Sequence, residues 1–309
     1  MNIIFMGTPL FAVKILEKLY SKHHISMVVT QPDQGTKNKP LIPPVKTWAL
    51  EHNIVVRQPE KVALLEKEIL SMPVHLIVTA AYGQFIPLKI LNHPLYQSIN
   101  VHGSLLPKYR GGAPIQRAIM NGDNQTGISI IRMVKQMDAG PILAKQAIPI
   151  LPSDNQDSMF LKLSELGAEM ILPVIEKIEA NEIAYEEQDH NQATFAYNLT
   201  KQDEKIDFSK TAEVCFNQIR GLCHNPGAFF QLDGLNVKVY NSVVSNQTTL
   251  KKPGVIVSKN KKTFEISCGN QTVLSILEVQ LPSGKRMNTP DFLNGRGKDL
   301  IILNKEIEL

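Results

Sequence analysis

Residues 75–107 read HLIVTAAYGQFIPLKILNHPLYQSINVHGSLLP and contain two strand candidates. His75–Ala80 is almost wholly apolar, which is typical of a strand that is buried on both faces of a parallel sheet. Ile99–His102 is the second candidate, and Gly103 ends it. Ligands of an open α/β sheet bind beyond the carboxyl ends of its strands, so a binding site is expected at the loops after these two strands.

Strands and helices alternate through the first half of the chain. The other predicted strands are Ile3–Met6, Ile25–Thr30 and Gly127–Met133, and the predicted helices are Phe11–Tyr20, residues 45–52 and Ser158–Ala180. The last helix is amphipathic, because its apolar residues recur at three- and four-residue steps, and it is expected to close the first domain. This alternation predicts an α/β fold with a Rossmann-like, doubly wound sheet.

The last third of the chain has a different pattern. Short β-rich runs are separated by Gly-Asn, Lys-Asn and Asp-Gly turns, which predicts a small antiparallel β-barrel. A polar stretch precedes it, so we interpret residues 189–205 as a linker between a first domain of residues 1–188 and a second domain of residues 206–309.

The charge of the chain is unevenly distributed. Residues 1–205 carry 20 Lys and Arg against 20 Asp and Glu, whereas residues 206–309 carry 13 against 9, so the last third holds the whole net charge of +4. A basic domain indicates a polyanionic partner, although a solvated basic surface fits the charge equally well.

Three cysteines, Cys215, Cys223 and Cys268, are an odd number without CxxC spacing, which argues against a disulfide framework and a structural zinc site. The start, MNIIFMG, lacks the features of a signal peptide, and no apolar stretch is long enough to cross a bilayer. We therefore expect a cytoplasmic protein that does not contact membranes.

Asn100 and His102 share one face of the second strand candidate, because side chains at i and i+2 point the same way. A carboxylate that fixes the imidazole tautomer is expected from Asp138, in QMDAGPIL directly after a predicted strand. Taken singly, His102 fits a backbone-bonded strand end and Asp138 fits a turn former. Taken together with Asn100, they predict a catalytic cluster.

Other kinds of site are poorly supported. The first strand–helix turn, MGTPLFA, has one glycine instead of GxGxxG, which argues against a dinucleotide cofactor. The chain has no GxxxxGK[ST] loop for nucleotide hydrolysis and no metal-ligand spacing, so we expect no metal.

NVHGSLLPKYRGGAPIQRAI, followed by TGISI and MDAGPIL, resembles the signature of the folate-dependent formyltransferases. MGTPLFAVKIL, the PDQG…PPVKTWA loop and LEVQLPSGKRMNTPDFLNG extend the resemblance along essentially the whole chain to the members that act on charged tRNA. The resemblance implies the formyltransferase fold followed by an OB-like barrel that binds tRNA. It also implies transfer of a formyl group from 10-formyltetrahydrofolate to the α-amino group of methionyl initiator tRNA. Nothing in the sequence demands more than a monomer.

The resemblance further implies roles for single residues. Asn100 and protonated His102 would donate hydrogen bonds to the oxyanion, and His102, oriented by Asp138, would carry the proton between the incoming amine and the departing N10. The expected folate contacts are Ser104, Leu105, Leu106 and Pro107 on one wall and Tyr82, Gly83, Gln84 and Phe85 on the other.

Basic residues in three places are the expected tRNA contacts: Lys37 and Lys39 in the loop QPDQGTKNKPLIPP, Arg110, and Lys259, Lys261 and Lys262 in KKPGVIVSKNKK. The first loop reads GTKNK where the family usually has an arginine-rich, GRGKK-like run, so bidentate recognition is not expected there, and the sequence leaves open whether its lysines contact phosphates of the acceptor stem. The second run has five lysines and no acid, which a solvated hairpin would also carry.

Two other interpretations stay open. The same cluster could formylate a small amine or hydrolyse the formyl donor, and a non-catalytic relative could bind RNA alone. The basic barrel argues against the first, and the joint presence of Asn100, His102 and Asp138 argues against the second. The sequence leaves open how strongly initiator tRNA is preferred over elongator tRNA.

Overall fold

The structure is a computed structural model that describes residues 1–36 and 39–308. The chain forms two compact units. Unit 1 consists of Met1–Pro114, Gln125–Pro149 and Phe160–Tyr197, and unit 2 consists of Ile115–Asn124, Ile150–Met159 and the chain from Asn198 onward. Residues 189–205, the expected linker, therefore divide between the two units after Tyr197.

The elements as far as residue 149 alternate as the apolar pattern predicts. They are β1 (Asn2–Gly7), α1 (Leu10–Tyr20), β2 (His24–Val29), β3 (Gln34–Thr36), β4 (Lys39–Leu41), α2 (Pro44–Glu51), β5 (Val56–Arg57), α3 (Glu66–Leu70), β6 (Leu76–Ala80), α4 (Leu88–Leu91), β7 (Ser98–His102), α5 (Pro114–Met120), β8 (Gln125–Arg132) and β9 (Ile142–Pro149).

The remaining elements are one long helix followed by short strands and helices. They are α6 (Gln156–Glu179), α7 (Lys201–Glu204), α8 (Ala212–Gly221), β10 (Ala228–Leu232), β11 (Leu235–Val244), β12 (Ile256–Lys259), β13 (Phe264–Ser267), β14 (Val273–Gln280), β15 (Met287–Asn288), α9 (Thr289–Asn294) and α10 (Gly297–Leu300). Short 3₁₀ segments lie at Val62–Leu65, His190–Gln192 and Gly269–Gln271.

Unit 1 is built on a seven-stranded sheet with the order β5-β2-β1-β6-β7-β8-β9. The five strands from β5 to β7 run parallel, and every residue of β6 is buried, as expected of a central parallel strand. The strand order reverses at β1, whose neighbours are β2 and β6, so the carboxyl ends of β1, β6 and β7 meet at a switch point where α/β sheets bind ligands.

The predicted Rossmann-like sheet is confirmed, with one feature that the apolar pattern could not specify. Strand β8 runs antiparallel to β7, and β9 runs antiparallel to β8. Residues 133–141 join β8 to β9 without a helix, and a short connection of this kind produces an antiparallel pair. This connection carries Asp138.

Unit 2 contains an antiparallel sheet with the order β10-β11-β14-β13-β12, with β15 paired to β14. Helix α8 packs on the sheet, and the core includes the fully buried rings of Phe208, Phe230, Phe264 and Phe292. The C-terminal tail pairs at both edges of this sheet. Glu308 forms a single bridge with Gln231 of β10, and Glu306 forms one with Val255, the residue before β12. The tail thus connects the two edges of the curled sheet, and the predicted small OB-like β domain is confirmed.

Residues 1–36 and 39–308 include no helix that combines the length and the apolar character needed to cross a bilayer.

Candidate active site

Strand β7 presents Asn100 and His102 on one face, at the carboxyl edge of the sheet of unit 1. Asn100 lies opposite Thr79 of β6, whose hydroxyl donates to Oδ1 of Asn100 at 2.7 Å. This hydrogen bond fixes the amide orientation, because it leaves Nδ2 as the end that faces Asp138. Nδ2 of Asn100 donates to Oδ1 of Asp138 at 3.3 Å, and its second N–H has no acceptor among the described residues.

Asp138 lies in the connection between β8 and β9, and its φ of 49° is in the left-handed region. Its Oδ2 accepts a hydrogen bond from the backbone N–H of Gly111 at 2.8 Å and lies 3.7 Å from Nδ1 of His102. The structure therefore brings the three predicted catalytic residues, Asn100, His102 and Asp138, into one cluster. Oxygens of a single carboxylate face the amide, the imidazole and a backbone donor.

The imidazole of His102 is buried, with 5% of the residue exposed. Its Nε2 donates to the carbonyl oxygen of Tyr109 at 2.9 Å, so in the neutral ring Nδ1 is the basic nitrogen. A proton taken up at Nδ1 would face the carboxylate of Asp138. This geometry favours proton transfer at Nδ1, whereas a hydrogen bond from Nε2 to an oxyanion would require the bond to Tyr109 to break.

Arg110, an expected tRNA contact, is 1% exposed. Its guanidinium donates to Oε1 of Gln188 from Nε at 3.1 Å and from Nη2 at 2.7 Å, and Nη2 also lies 3.0 Å from Nδ1 of His190. Burial lowers the pKa of Arg110, and the charge of Asp138 opposes that shift. A phosphate could reach this side chain only after the covering segment moved, so the buried conformation does not supply the expected contact.

The covering segment is residues 188–196, and all but the first of these fall in the predicted linker of residues 189–205. Thr194 and Ala196 exchange backbone hydrogen bonds with Arg110, at 2.8 and 2.7 Å. Gly111 follows with a φ of 123°, and a Cβ there would stand 2.7 Å from the carbonyl oxygen of Ala196. These hydrogen bonds and the close approach at Gly111 hold the loop after β7 in place.

The first predicted folate wall, residues 104–107, is held in place by hydrogen bonds to Ser129. Ser129 of β8 donates to the carbonyl oxygen of Ser104 at 2.7 Å and accepts from the backbone N–H of Leu106 at 3.0 Å. Leu106 is buried, whereas Leu105 and Pro107 are partly exposed. Leu105 and Pro107 are thus the side chains of this wall that a ligand can contact, and the folate role remains a prediction.

The second predicted wall, residues 82–85, offers backbone and one exposed ring. Tyr82 is buried, its hydroxyl finds no partner in the described part of the chain, and burial raises its pKa. The amide of Gln84 is bonded to Val62, Pro59 and Gln31. Gly83 has a φ of 84°, and Phe85 is 70% exposed. Phe85 therefore presents an exposed side-chain surface here, and Gln84 is partly exposed.

The predicted lysine contacts differ in their surroundings. Lys37 and the side chain of Lys39 lie outside the described residues. Nζ of Lys259 donates to the carbonyl oxygens of Lys298 and Ile301, both at 2.7 Å, so this lysine completes the end of α10. Lys261 and Lys262 are exposed in the turn between β12 and β13. These two are free to contact a polyanion.

Residues 1–36 and 39–308 contain no group of three or more His, Cys, Asp or Glu side chains that could hold a metal ion.

Sequence reasoning missed Thr79, Tyr109, Gly111 and Gln188, each of which contacts the cluster or its loop. Thr79 carried a signal, since it is the one polar residue of the strand run LIVTA. The backbone groups of Tyr109 and Gly111 carried none, because their role depends on how the loop folds.

Two family models match the chain. The model described as formyl transferase matches residues 1–175, and the model described as formyl transferase, C-terminal domain, matches residues 198–297. Among curated relatives, the chain is 46% identical over 306 residues to a methionyl-tRNA formyltransferase from Enterococcus faecalis, with 97% of each chain covered. It is 45% identical over 307 residues to one from Latilactobacillus sakei, with 97% of this chain and 96% of the relative covered.

Solved structures share the fold. An N-formyltransferase from Helicobacter canadensis, in complex with folinic acid and dTDP-3-aminofucose, has a TM-score of 0.69 at 19% identity, over 89% of this chain and 98% of that one. HypX from Aquifex aeolicus, in complex with tetrahydrofolic acid, has a TM-score of 0.64 at 16% identity, over 95% of this chain and 47% of that one.

Proposed function

The chain belongs to the formyl transferase family, and on that basis we propose that it transfers a formyl group from 10-formyltetrahydrofolate to the α-amino group of methionine on initiator tRNA. One observation carries the proposal: an amide donor, an imidazole and a carboxylate, from Asn100, His102 and Asp138, meet at the ligand edge of the sheet. The near full-length similarity to relatives named methionyl-tRNA formyltransferase supports the choice of acceptor.

The donor set fits a reacting formyl carbonyl. When the amine attacks the formyl carbon, negative charge develops on the carbonyl oxygen. The free N–H of Asn100 is the donor available to that oxygen, and its partner Thr79 keeps the amide from rotating. A donor oriented in advance stabilises the transition state, and loss of one such donor typically costs about 10²–10³ in rate.

His102 and Asp138 carry out the proton transfer. As the new C–N bond forms, Nδ1 of His102 takes the proton that the amine loses, and Asp138 stabilises the imidazolium at 3.7 Å. The bond between the formyl carbon and N10 then breaks, and the same proton passes from Nδ1 to N10. Atoms and charge balance without a further reactant, and the products are formylated methionyl-tRNA and tetrahydrofolate.

Substrate contacts follow from what is accessible. We expect the folate to lie against Leu105, Pro107 and Phe85, and the phosphates of the tRNA to be bound by Lys261 and Lys262 of unit 2. One copy of the chain supplies all three polar groups of the cluster, so a monomer would suffice. These substrates imply action in the cytoplasm.

The test is a formylation assay with purified protein and 10-formyltetrahydrofolate. Charged initiator tRNA, charged elongator tRNA and an amino sugar nucleotide are offered separately, and free formate is measured in each reaction. We expect formyl transfer to the initiator tRNA, at least tenfold faster than to any other acceptor. Transfer to the amino sugar alone, or release of formate without an acylated product, would overturn the proposed function.

A further inference from the structure

Arg110 and Gln188 form a buried, hydrogen-bonded pair next to Asp138, and we call this pair the brace. We propose that the brace positions Asp138 for proton transfer. This inference rests on the proposed function, and it assigns to Arg110 a role inside unit 1 in place of a tRNA contact.

Hydrogen bonds connect the brace to Asp138 from two sides. The amide of Gln188 donates to the carbonyl oxygens of Asp138 and Gly140, at 2.8 and 2.7 Å, so it holds the backbone on which the carboxylate sits. Arg110 donates twice to Oε1 of Gln188, which fixes the amide orientation. The residue after Arg110, Gly111, donates its N–H to Oδ2 of Asp138.

The loop that carries Asp138 needs such support. A φ of 49° is unfavourable for a residue with a Cβ, and conformations of this kind persist only where surrounding contacts impose them. At Gly140 the chain passes so close to β8 that a Cβ would clash with the carbonyl oxygen of Arg132. Gln188 satisfies two carbonyl groups of this strained loop and thereby selects one orientation of Asp138.

The charge of Arg110 has a second effect. Its side-chain partners in the described residues are the amide of Gln188 and the ring of His190, and neither is an acid. A buried cation without a nearby anion is costly, and the anion that interacts with Arg110 here is Asp138. Attraction between these two charges therefore adds to the orientation that the hydrogen bonds impose on Asp138.

The test compares the kcat and KM of variants with those of the unaltered enzyme. For Arg110→Met we expect a kcat about tenfold lower, because the amide of Gln188 loses the donors that orient it and Asp138 is no longer held in one position. Arg110→Lys keeps the charge, so its kcat should lie between that of Arg110→Met and that of the unaltered enzyme.

Gln188→Glu is the second variant. It is needed because Arg110→Met would leave a buried cavity and could fail to fold. A carboxylate at position 188 still accepts from Arg110 but removes the donors to Asp138 and Gly140, so kcat should again be about tenfold lower. KM for both substrates should stay within twofold for every variant, since the brace is buried. Arg57→Met, which removes an arginine paired with Glu68 on the surface, is the matched control and should match the unaltered enzyme.

A kcat within about twofold of that of the unaltered enzyme for folded Arg110→Met or Gln188→Glu would overturn the inference. So would a lowered kcat accompanied by a raised KM in both, because a general disturbance of the loop would weaken substrate binding as well. These outcomes differ from failure of the proposed function, in which the unaltered enzyme itself does not formylate tRNA.

A separate observation concerns the outer face of the same covering segment. Phe195 and Tyr197 are 49% and 64% exposed, and their rings are parallel within 6°, with centroids 5.6 Å apart. The backbone around Phe195 pairs with Arg110, so these rings are held in place beside the catalytic loop. We infer that this aromatic pair stacks on an unpaired base at the acceptor end of the tRNA, because exposed aromatic rings bind unpaired bases without sequence preference.

The aromatic pair is tested with a Phe195→Leu, Tyr197→Leu double variant. Loss of stacking should raise KM for methionyl-tRNA about tenfold and leave kcat and the KM for folate unchanged. Phe195→Tyr with Tyr197→Phe keeps both rings and should behave as the unaltered enzyme, and Tyr20→Leu controls for loss of an exposed ring elsewhere. An unchanged KM for tRNA, or a raised KM for folate instead, would show that a nucleobase is not the occupant.

Discussion

The amide of Asn100 donates a hydrogen bond to the carboxylate of Asp138 across 3.3 Å, so two of the reactive groups in the cluster orient each other. Asn100→Asp should lower kcat by about 10²–10³, because the donor for the developing oxyanion becomes an acceptor beside a second carboxylate. KM for both substrates should change little. Steady-state formylation assays measure this, and a kcat within fivefold of the original would remove Asn100 from the catalytic set.

Gly140 allows the Asp138 loop to pass against β8. In Gly140→Ala the new Cβ would overlap the carbonyl oxygen of Arg132, and the two nearest atoms belong to the Arg132 backbone, which cannot rotate away. We expect the loop to shift, with a kcat at least tenfold lower and a KM for folate that is nearly unchanged. Single-turnover rates at saturating substrate check this, and normal turnover in a well-folded variant would mean that the loop tolerates displacement.

The lysines of unit 2 should separate by function. Lys261→Gln with Lys262→Gln removes two exposed charges and should reduce the slope of log binding constant against log salt by about 2. Lys259→Gln removes donors to the carbonyl oxygens of Lys298 and Ile301, so its main effect should be a lower thermal midpoint. Binding of charged tRNA measured at several salt concentrations decides the first point. A slope that the double variant leaves unchanged would assign Lys261 and Lys262 to solvation.

Asp203 links pH to the stability of unit 2. A hydrogen bond from Arg117 lowers the pKa of Asp203 to about 2, with further donation from Thr200. A depressed pKa stabilises the fold above the unfolded value of about 4, and this contribution disappears as pH falls through about 2. Asp203→Asn should therefore cost roughly 1–2 kcal/mol near neutral pH and almost nothing at pH of about 2. Urea unfolding at both pH values tests this, and an equal cost at both would contradict it.

Much of unit 1 could be predicted from local sequence because its strands are continuous apolar runs. The predicted strand of residues 75–80 and the observed strand Leu76–Ala80 differ by one residue, and burial on both faces produces so strong a signal. The direction of β8 could not be read in the same way, since both parallel and antiparallel strands can be apolar. It depends on the length and path of a connection rather than on the residues of the strand.

In the site, too, some contacts could be predicted from local sequence and others could not. Asn100 and His102 could be placed together because the two-residue period of a strand puts them on one face. The resemblance implies a tRNA contact for Arg110, whereas its guanidinium is buried against Gln188, which is 78 residues away in sequence. Gln188 itself lies next to the polar stretch interpreted as a linker, and only the folded chain shows that its amide supports Asp138.

The chain enters unit 2 three times, and two of these passages come before residue 160. Helix α5 lies in the first passage, and Met120 at its end packs against the hydrophobic core of unit 2. A gene fragment that stops at Tyr197 would therefore encode an apolar helix end deprived of its covering, and we expect such a product to precipitate when expressed. Swapping C-terminal halves between homologues would meet the same obstacle, unless residues 115–124 and 150–159 were exchanged along with the half they belong to.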